Sequence, residues 1–315
     1  MKRALIVAAA LIVGVFVWLA VRTIDLELTW QALREAEAVW VVPSLALLAL
    51  SAPLRALRWW AVFAPGRRPP LKAATKALLI GLFFNSILPF RAGEAARLVY
   101  LARRTGVSRA ETLATIAVER VFDVLALVLI LFVSLPFLPE VTWLQAAVWL
   151  ALVLGVGLGL AVGVLFVFGD RALRALLWPL RWLPFLSVER LEWAPRNLGS
   201  GLAALRSLEV AGAGAVLTIL SWLVLATSTW ALMPAFDLDL GFEAASLVLV
   251  AVGLAMIVPS PPAALGVFEG AVVVALVAFD VDASVALSYA LVLHAVNFVP
   301  YLAAGLLVLP RGWAR

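Results

Sequence analysis

Six predominantly apolar runs of membrane-spanning length set what this chain can become. They lie at 4–21, 38–61, 110–135, 143–168, 211–233 and 284–309. About 20 such residues carry a helix across the roughly 30 Å hydrocarbon core of a bilayer. Of 315 residues, 65% are hydrophobic and 14% charged, against about half and a quarter in soluble domains. That much apolar surface has no place in water, so the chain reads as an integral, polytopic, all-α membrane protein. Lys2-Arg3 before the run 4–21 also suits a signal peptide. No small-x-small cleavage pattern follows it, and the run is read as the first transmembrane helix.

The charges and reactive residues narrow the chemistry. The net charge is +5, but the basic residues lie in loops between apolar runs, which marks membrane topology and not a nucleic-acid footprint. The chain has no cysteine and one histidine, His294. Thiolate metal sites, cysteine nucleophiles and multi-histidine sites are therefore excluded, and no metal or cofactor is expected.

Two further apolar stretches are interrupted in the middle. The stretch 73–102 breaks at Leu88-Pro89-Phe90-Arg91-Ala92-Gly93-Glu94, and the stretch 244–279 breaks across 259–269. Proline removes a backbone donor and disfavours helix before it, so each stretch predicts two half-helices joined by irregular backbone. At membrane depth such backbone survives only where protein buries it or a polar cavity meets it.

Loop charges predict how these stretches run. If both turn back, Lys2, Arg3, Arg67, Arg68, Lys72, Lys76, Arg103, Arg104, Arg109, the six arginines of 171–206, Arg311 and Arg315 share the cytoplasmic side. Glu140, Asp237, Asp239, Glu243, Asp280 and Asp282 then face outward, with Arg22 and Arg34 as exceptions. If both crossed once, the arginines of 103–109 and 171–206 would be exported, against the positive-inside bias. The expected architecture is six transmembrane helices plus two oppositely oriented re-entrant hairpins, with both termini cytoplasmic. Pro89 and Gly93 serve as hinges of the first tip, Pro259 and Gly266 of the second. The two tips should meet near the midplane.

The halves match in detail. Ser108, with Glu111 three residues on, and Asp282 both suit N-caps of the helix after a hairpin. Arg120 and His294 lie 12 residues after these caps, Asp123 and Asn297 15 after. Polar residues thus recur at equal depth in two helices of opposite direction, as in an inverted repeat, where paired broken segments point to a transporter's binding site. Between the halves, 170–209 is rich in Arg and Trp, as at Arg171, Arg174, Trp178, Arg181 and Trp182. This spacing fits a helix lying in the cytoplasmic interface; a solvated loop with snorkelling arginines is the alternative.

An ionisable group at membrane depth costs roughly 2.5 to 3.5 kcal/mol on insertion scales, so a cluster needs a reason. The first half holds Arg91, Glu94, Arg97, Glu119, Arg120 and Asp123; the second holds Glu269, His294 and Asn297. Arg91, Arg97 and Arg120, beside a half-helix N-terminus, form a candidate phosphate site. Glu94, Glu119, Asp123 and Glu269 either orient those arginines or bind headgroup donors. The competing reading pairs the arginines with Glu94, Glu119 and Asp123 as a scaffold, and lets Glu94 and Glu269 satisfy the helix amides. Arg55 and Arg58, near Trp59 and Trp60, suit snorkelling to the interface before a headgroup entrance. His294 suits packing before proton relay, and Asn85 and Asn297 suit helix-to-helix hydrogen bonds before ligand contact.

The residues Leu88-Pro89-Phe90-Arg91-Ala92-Gly93-Glu94 with Arg97, then Glu119-Arg120-Val121-Phe122-Asp123, then 259–266 with Glu269, resemble the lysylphosphatidylglycerol synthase transmembrane, or flippase-like, family. The resemblance spans nearly the whole chain. It implies a bacterial inner-membrane protein that moves a phosphate-bearing lipid, phospho- or polyprenyl-type, between leaflets. Members that synthesise lysyl-lipid carry a soluble transferase domain, for which this sequence has no room, so no synthase activity is expected. The family tends to have glycines where this chain has Ala263-Ala264, which weakens the case for close ligand approach at that tip. Rival readings are an intramembrane lipid-phosphate transferase or hydrolase with Glu119 or Asp123 as base, an anion or proton channel, and a noncatalytic partner of a lipid or glycan enzyme. The expected partners are membrane lipids with anionic headgroups, a second copy of the chain, or such an enzyme.

Overall fold

The computed structural model describes residues 26–88, 91–168, 171, 207–256 and 261–309. The expected helix at 4–21, most of the 170–209 segment, and the hinge prolines Pro89 and Pro259 lie outside the described residues. Ten α-helices and no strand occur among the rest: α1 (Leu26–Glu35), α2 (Val41–Ala61), α3 (Leu71–Ile87), α4 (Ala92–Thr105), α5 (Arg109–Ser134), α6 (Thr142–Phe168), α7 (Leu208–Leu232), α8 (Phe242–Ala255), α9 (Val267–Val277) and α10 (Ala283–Val308).

Four of the described helical segments are long and apolar enough to cross a membrane: Ala38–Ala61, Thr142–Val164, Leu208–Phe236 and Ala283–Val308. They coincide with four of the six expected spans. The fifth expected span, 110–135, forms the 26-residue α5, which is long enough but carries Glu119, Arg120 and Asp123 in its middle. Helix α6 shows the lipid-like surroundings most plainly. It packs chiefly against α5 and leaves Trp149, Leu150, Val153 and Leu160 more than 60% exposed. In water that face would be a large, costly apolar patch. Helix α1 falls in a stretch whose sequence gave no apolar run; it packs on α10, where Ser288 Oγ donates to the Thr29 carbonyl at 2.8 Å.

Both interrupted stretches are helix–break–helix. The arms of the first, α3 and α4, have 17 and 14 residues; those of the second, α8 and α9, have 14 and 11. At 1.5 Å per residue the arms measure about 26, 21, 21 and 17 Å, each short of the roughly 30 Å core. The caps of the following helices form as expected. Ser108 Oγ accepts from the Glu111 N–H at 3.0 Å, and Asp282 Oδ1 accepts from the Ser284 N–H at 2.7 Å.

The packing is reciprocal. The most extensive contact is between α2 and α7, the helices that precede the two broken pairs. The first arm α3 lies on α10, the long helix of the other half, and the first arm α8 lies on α5. Small residues permit both crossings. A Cβ on Gly305 of α10 would sit 2.3 Å from Phe83 Cβ of α3, and one on Gly253 of α8 would sit 2.6 Å from Leu127 Cδ1 of α5. Between lipid-facing helices close backbone approach and polar contacts supply the adhesion that apolar burial cannot. Accordingly, Ser44 Oγ donates to the Ser228 carbonyl at 2.8 Å across α2 and α7. Tyr289 Oη of α10 donates to the Thr229 carbonyl of α7 at 2.6 Å.

The breaks themselves use left-handed backbone. Arg91 has φ 52°, Ala263 φ 55°, Ala264 φ 57° and Gly266 φ 79°. At non-glycine positions this region costs about 1–2 kcal/mol. Gly93 has a different role. A Cβ there would come within 1.9 Å of the Gly81 carbonyl oxygen, so α3 and α4 close only over a hydrogen.

Two outcomes follow for thermal unfolding of purified protein in detergent. Gly93→Ala should splay the first hairpin and lower stability by about 3 kcal/mol, at the upper end for overpacking. Ala263→Gly relieves a left-handed alanine at the cost of chain entropy, and should raise stability by about 0.5 kcal/mol.

Candidate functional site

The site grows out of two carboxylates one turn apart on α5. Glu119 is 1% exposed and Asp123 7%, and their spacing of four places them on the same helix face. Arg58 of α2 bridges them: Nη2 donates to Glu119 Oε1 at 2.7 Å and Nη1 donates to Asp123 Oδ1 at 2.5 Å. Arg97 of α4 donates through Nη2 to the other Glu119 oxygen at 2.5 Å, with its guanidinium 3.5 Å over the Trp59 ring. Arg120 Nη2 lies 2.9 Å from Glu119 Oε1 and 3.1 Å from Asp123 Oδ2. Trp222 Nε1 of α7 donates to Asp123 Oδ1 at 2.9 Å. Four helices therefore meet on two carboxylates.

Arg58 corrects the interfacial expectation for that residue. It is 3% exposed and doubly ion-paired, because the face of α2 that carries it turns inward against α5 and not toward the headgroups. Arg55, one turn earlier, remains half-buried and places its guanidinium 5.8 Å from the Tyr301 ring centroid.

The arginines nearer the first tip are looser. Arg91 Nη1 is 3.8 Å from Glu94 Oε1, and Arg120 Nε is 3.8 Å from the same oxygen. These are ion-pair distances without short hydrogen bonds. Side chains of Arg91, Glu94 and Arg120 are 28%, 30% and 35% exposed. Arg91 caps α4 in a left-handed conformation, and strained non-glycine backbone held by its surroundings is a mark of functional positions. At the same turn Asn85 Oδ1 accepts the Gly93 N–H at 2.8 Å, fixing arm to arm as expected of it.

Two adjoining cavities open beside this lattice, of about 200 and about 410 Å³. Arg55, Arg91, Glu94, Arg120 and Asn297 border both. Arg97 and Glu119 border the smaller, Arg58 and Asp123 the larger. Leu88, Arg91 and Gly93 from the first break face the same small cavity as Pro261 and Ala264 from the second, so the two tips converge. The larger cavity also has an apolar wall of Leu127, Leu225, Val248, Leu249 and Leu293.

Seven of the nine binding candidates read from the sequence thus line cavity walls. Glu269 and His294 do not. Glu269 Oε2 accepts the Gly266 N–H at 2.7 Å, and Oε1 meets His294 Nδ1 at 2.5 Å, so this carboxylate does satisfy a helix amide. The His294 ring centroid is 4.7 Å from that of Phe268 and 4.2 Å from that of Phe298. The pair is therefore packed beside Phe268, which lines both cavities. Asn297 Nδ2 donates to the Leu293 carbonyl of its own helix at 2.9 Å, not to another helix. Arg55 and Arg58 complete the site. Their spacing of three, which puts both on one side of α2, was the available signal.

Comparison with known proteins agrees with this picture. Glycosyltransferase AglD of Haloferax volcanii is 30% identical over 127 residues, covering 40% of this chain and 20% of that protein. The chain spans about one fifth of that relative's length in the match. No solved structure matches the chain. The family model described as lysylphosphatidylglycerol synthase TM region matches residues 6–305, essentially end to end. The residues that converge at the breaks and on α5 are those on which the resemblance rests, and the chain belongs to the lysylphosphatidylglycerol synthase transmembrane-region family.

Proposed function

We propose that this protein moves a phosphate-bearing lipid, phospho- or polyprenyl-type, between the leaflets of a bacterial inner membrane. The observation that carries the reading is the pair of adjoining cavities sharing Arg55, Arg91, Glu94 and Arg120, walled by both helix breaks and open to an apolar face. A phosphate fits the guanidinium fork with directed, charge-assisted hydrogen bonds. The leucine-lined wall suits the first carbons of a lipid chain. Arg58 and Arg97 hold Glu119 and Asp123 in place, Arg120 touches both carboxylates while bordering the cavities, and Arg91 and Arg55 remain for the ligand. Asn297 and Glu94 meet hydroxyl donors on the headgroup.

In this reading the two broken pairs are re-entrant hairpins of an inverted repeat, with both termini cytoplasmic. Short arms, reciprocal crossings and the loop-charge bias all support it. Transport then proceeds by rocking one half against the other around the fixed site. Glu269 and His294 secure the second tip behind the ligand.

A second reading has one specific support, the name of the archaeal relative: a noncatalytic membrane partner for an enzyme of lipid-linked glycan synthesis. It is separated from the first by assaying the purified protein alone in proteoliposomes. Translocation of a fluorescent phospholipid, read by quenching from outside, supports transport. Absence of translocation with copurification of a glycosyltransferase supports the partner role.

Topology has its own test in this cysteine-free chain. Arg104→Cys should react with an impermeant maleimide only from the cytoplasmic side and Asp239→Cys only from outside; reaction of both from one side removes the opposed hairpins. Site and scaffold separate by mutation. Arg91→Gln should keep the parental melting temperature and lose at least tenfold in translocation rate. Arg58→Ala should instead cost about 3–5 kcal/mol of stability, because it strands two buried carboxylates. Parental translocation by a folded Arg91→Gln protein would take Arg91 out of the site.

A further inference from the structure

The cavity walls carry an unbalanced set of charges. Among the described residues, the charged ones lining the two cavities are eight: Arg55, Arg58, Arg91, Arg97 and Arg120, against Glu94, Glu119 and Asp123. Five positive and three negative groups leave a surplus of two positive charges. Inside the set, Arg58, Arg97 and Arg120 make their close contacts to two carboxylates, Glu119 and Asp123, and Arg120 also lies 3.8 Å from Glu94. Arg91 has Glu94 at 3.8 Å. Arg55 has no carboxylate within ion-pair distance among the described residues.

Donors are in surplus as well. The Nε atoms of Arg58 and Arg97 are buried without a hydrogen-bond acceptor among the described residues, although both side chains are more than nine-tenths buried and border the cavities. An uncompensated charge in so enclosed a place is strongly unfavourable, and so is a buried donor without an acceptor. The charge surplus calls for an anion with several acceptor oxygens in the cavities; the two Nε atoms are closed off from them.

Resting on the reading that the cavities hold a lipid phosphate, we infer that the ligand brings two negative charges to these arginines: a phosphate monoester or a diphosphate, not a singly charged phosphodiester. A phosphate monoester carries about −1.5 to −2 near neutral pH and three terminal oxygens, which matches the surplus of two. A phosphodiester leaves one positive charge uncompensated. A diester bearing an ammonium headgroup leaves both, and repels. Three guanidiniums, Arg55, Arg91 and Arg120, border the space that the two cavities share, one for each terminal oxygen of a monoester. Glu94, held only by 3.8 Å contacts, is the carboxylate that such an anion displaces from Arg91 and Arg120.

The test uses the full chain in phosphatidylcholine nanodiscs at pH 8. Displacement of a bound fluorescent phosphatidate is measured with phosphatidate, phosphatidylglycerol and inorganic phosphate as competitors. Phosphatidate should compete at a mole fraction at least tenfold below that of phosphatidylglycerol, and inorganic phosphate at least a hundredfold more weakly. Arg55→Gln, which lowers the surplus to one, should bring the two lipids to within threefold of each other. Glu94→Gln, which raises it to three, should keep or widen the preference. Both positions are partly exposed, and melting curves check that each variant is folded.

Equal potency of phosphatidate and phosphatidylglycerol on the parental protein overturns the doubly charged ligand and leaves the lipid-phosphate reading standing. Inorganic phosphate as potent as phosphatidate identifies a free anion and overturns the lipid source. Failure of the fluorescent phosphatidate to bind overturns the inference; direct titration with a fluorescent phosphatidylglycerol then decides the underlying reading, which falls if that lipid also fails to bind. An unchanged tenfold preference in folded Arg55→Gln overturns the charge count.

Discussion

The buried carboxylates of Glu119 and Asp123 are the constraint around which the first half is built. Placing either at the centre of a 26-residue helix is affordable only because Arg58, Arg97, Arg120 and Trp222 surround them. Such a lattice adds little net stability over well-packed apolar residues, yet the loss of one member leaves a charge stranded. Its effect is therefore geometric. Arg58 sets how α2 meets α5, Arg97 sets where α4 lies after the first break, and Trp222 draws in α7. The cavity walls and the lattice are one object: the same arginines that balance Glu119 and Asp123 border the cavities.

The halves share an architecture but not this chemistry. Reciprocal crossings of α3 on α10 and α8 on α5 relate them, as do matched caps at Ser108 and Asp282. Yet where α5 carries Glu119, Arg120 and Asp123, α10 carries His294 and Asn297, and the second break is held by the single carboxylate of Glu269. The first hairpin is bound to its following helix by a charged, doubly shared contact, Arg97 to Glu119. The second hairpin is bound by Glu269 to His294 and by packing of Phe268 against Phe298. The first attachment is thus carried by charge and the second by broader packing of α9 on α10.

Much of this was legible in the chain. Apolar runs of the right length marked the helices, proline and glycine marked both breaks, and equal spacing from two caps marked the relation between halves, because each rests on local periodicity or backbone chemistry. The site was readable as a cluster, since ionisable residues at membrane depth need partners. The scaffold reading of the sequence already offered Arg91, Arg97 and Arg120 as partners of Glu94, Glu119 and Asp123, and the structure forms such pairs; what sequence could not give was the part of Arg58. Arg58 looked interfacial because it sits beside Trp59 and Trp60 near the end of an apolar run, and only the rotation of α2 against α5 turns it inward. Helix α1 was invisible for a different reason: residues 26–35 lack an apolar run, and their helix is fixed by docking on α10. Glu269 and His294, 25 residues apart, gave no local sign of being each other's partner.

The two tips show how strain and function are apportioned. A helix that stops at membrane depth must reverse direction within a few residues, and left-handed backbone does this compactly. Glycine would do so without strain, and the second tip uses Gly266 in that way but also forces Ala263 and Ala264 into the same region. The first tip forces an arginine into it. A glycine at 91 would relax the turn by roughly 1–2 kcal/mol on steric grounds, and would also remove a positive charge from the wall shared by both cavities. Retaining arginine there means that the surroundings carry the strain: Asn85 pins the Gly93 amide and the Gly81–Gly93 contact leaves the arms no room to reopen. The tight crossing of α3 and α4 is thus what holds a guanidinium at the point where the chain is least able to be helical and where the two cavities adjoin.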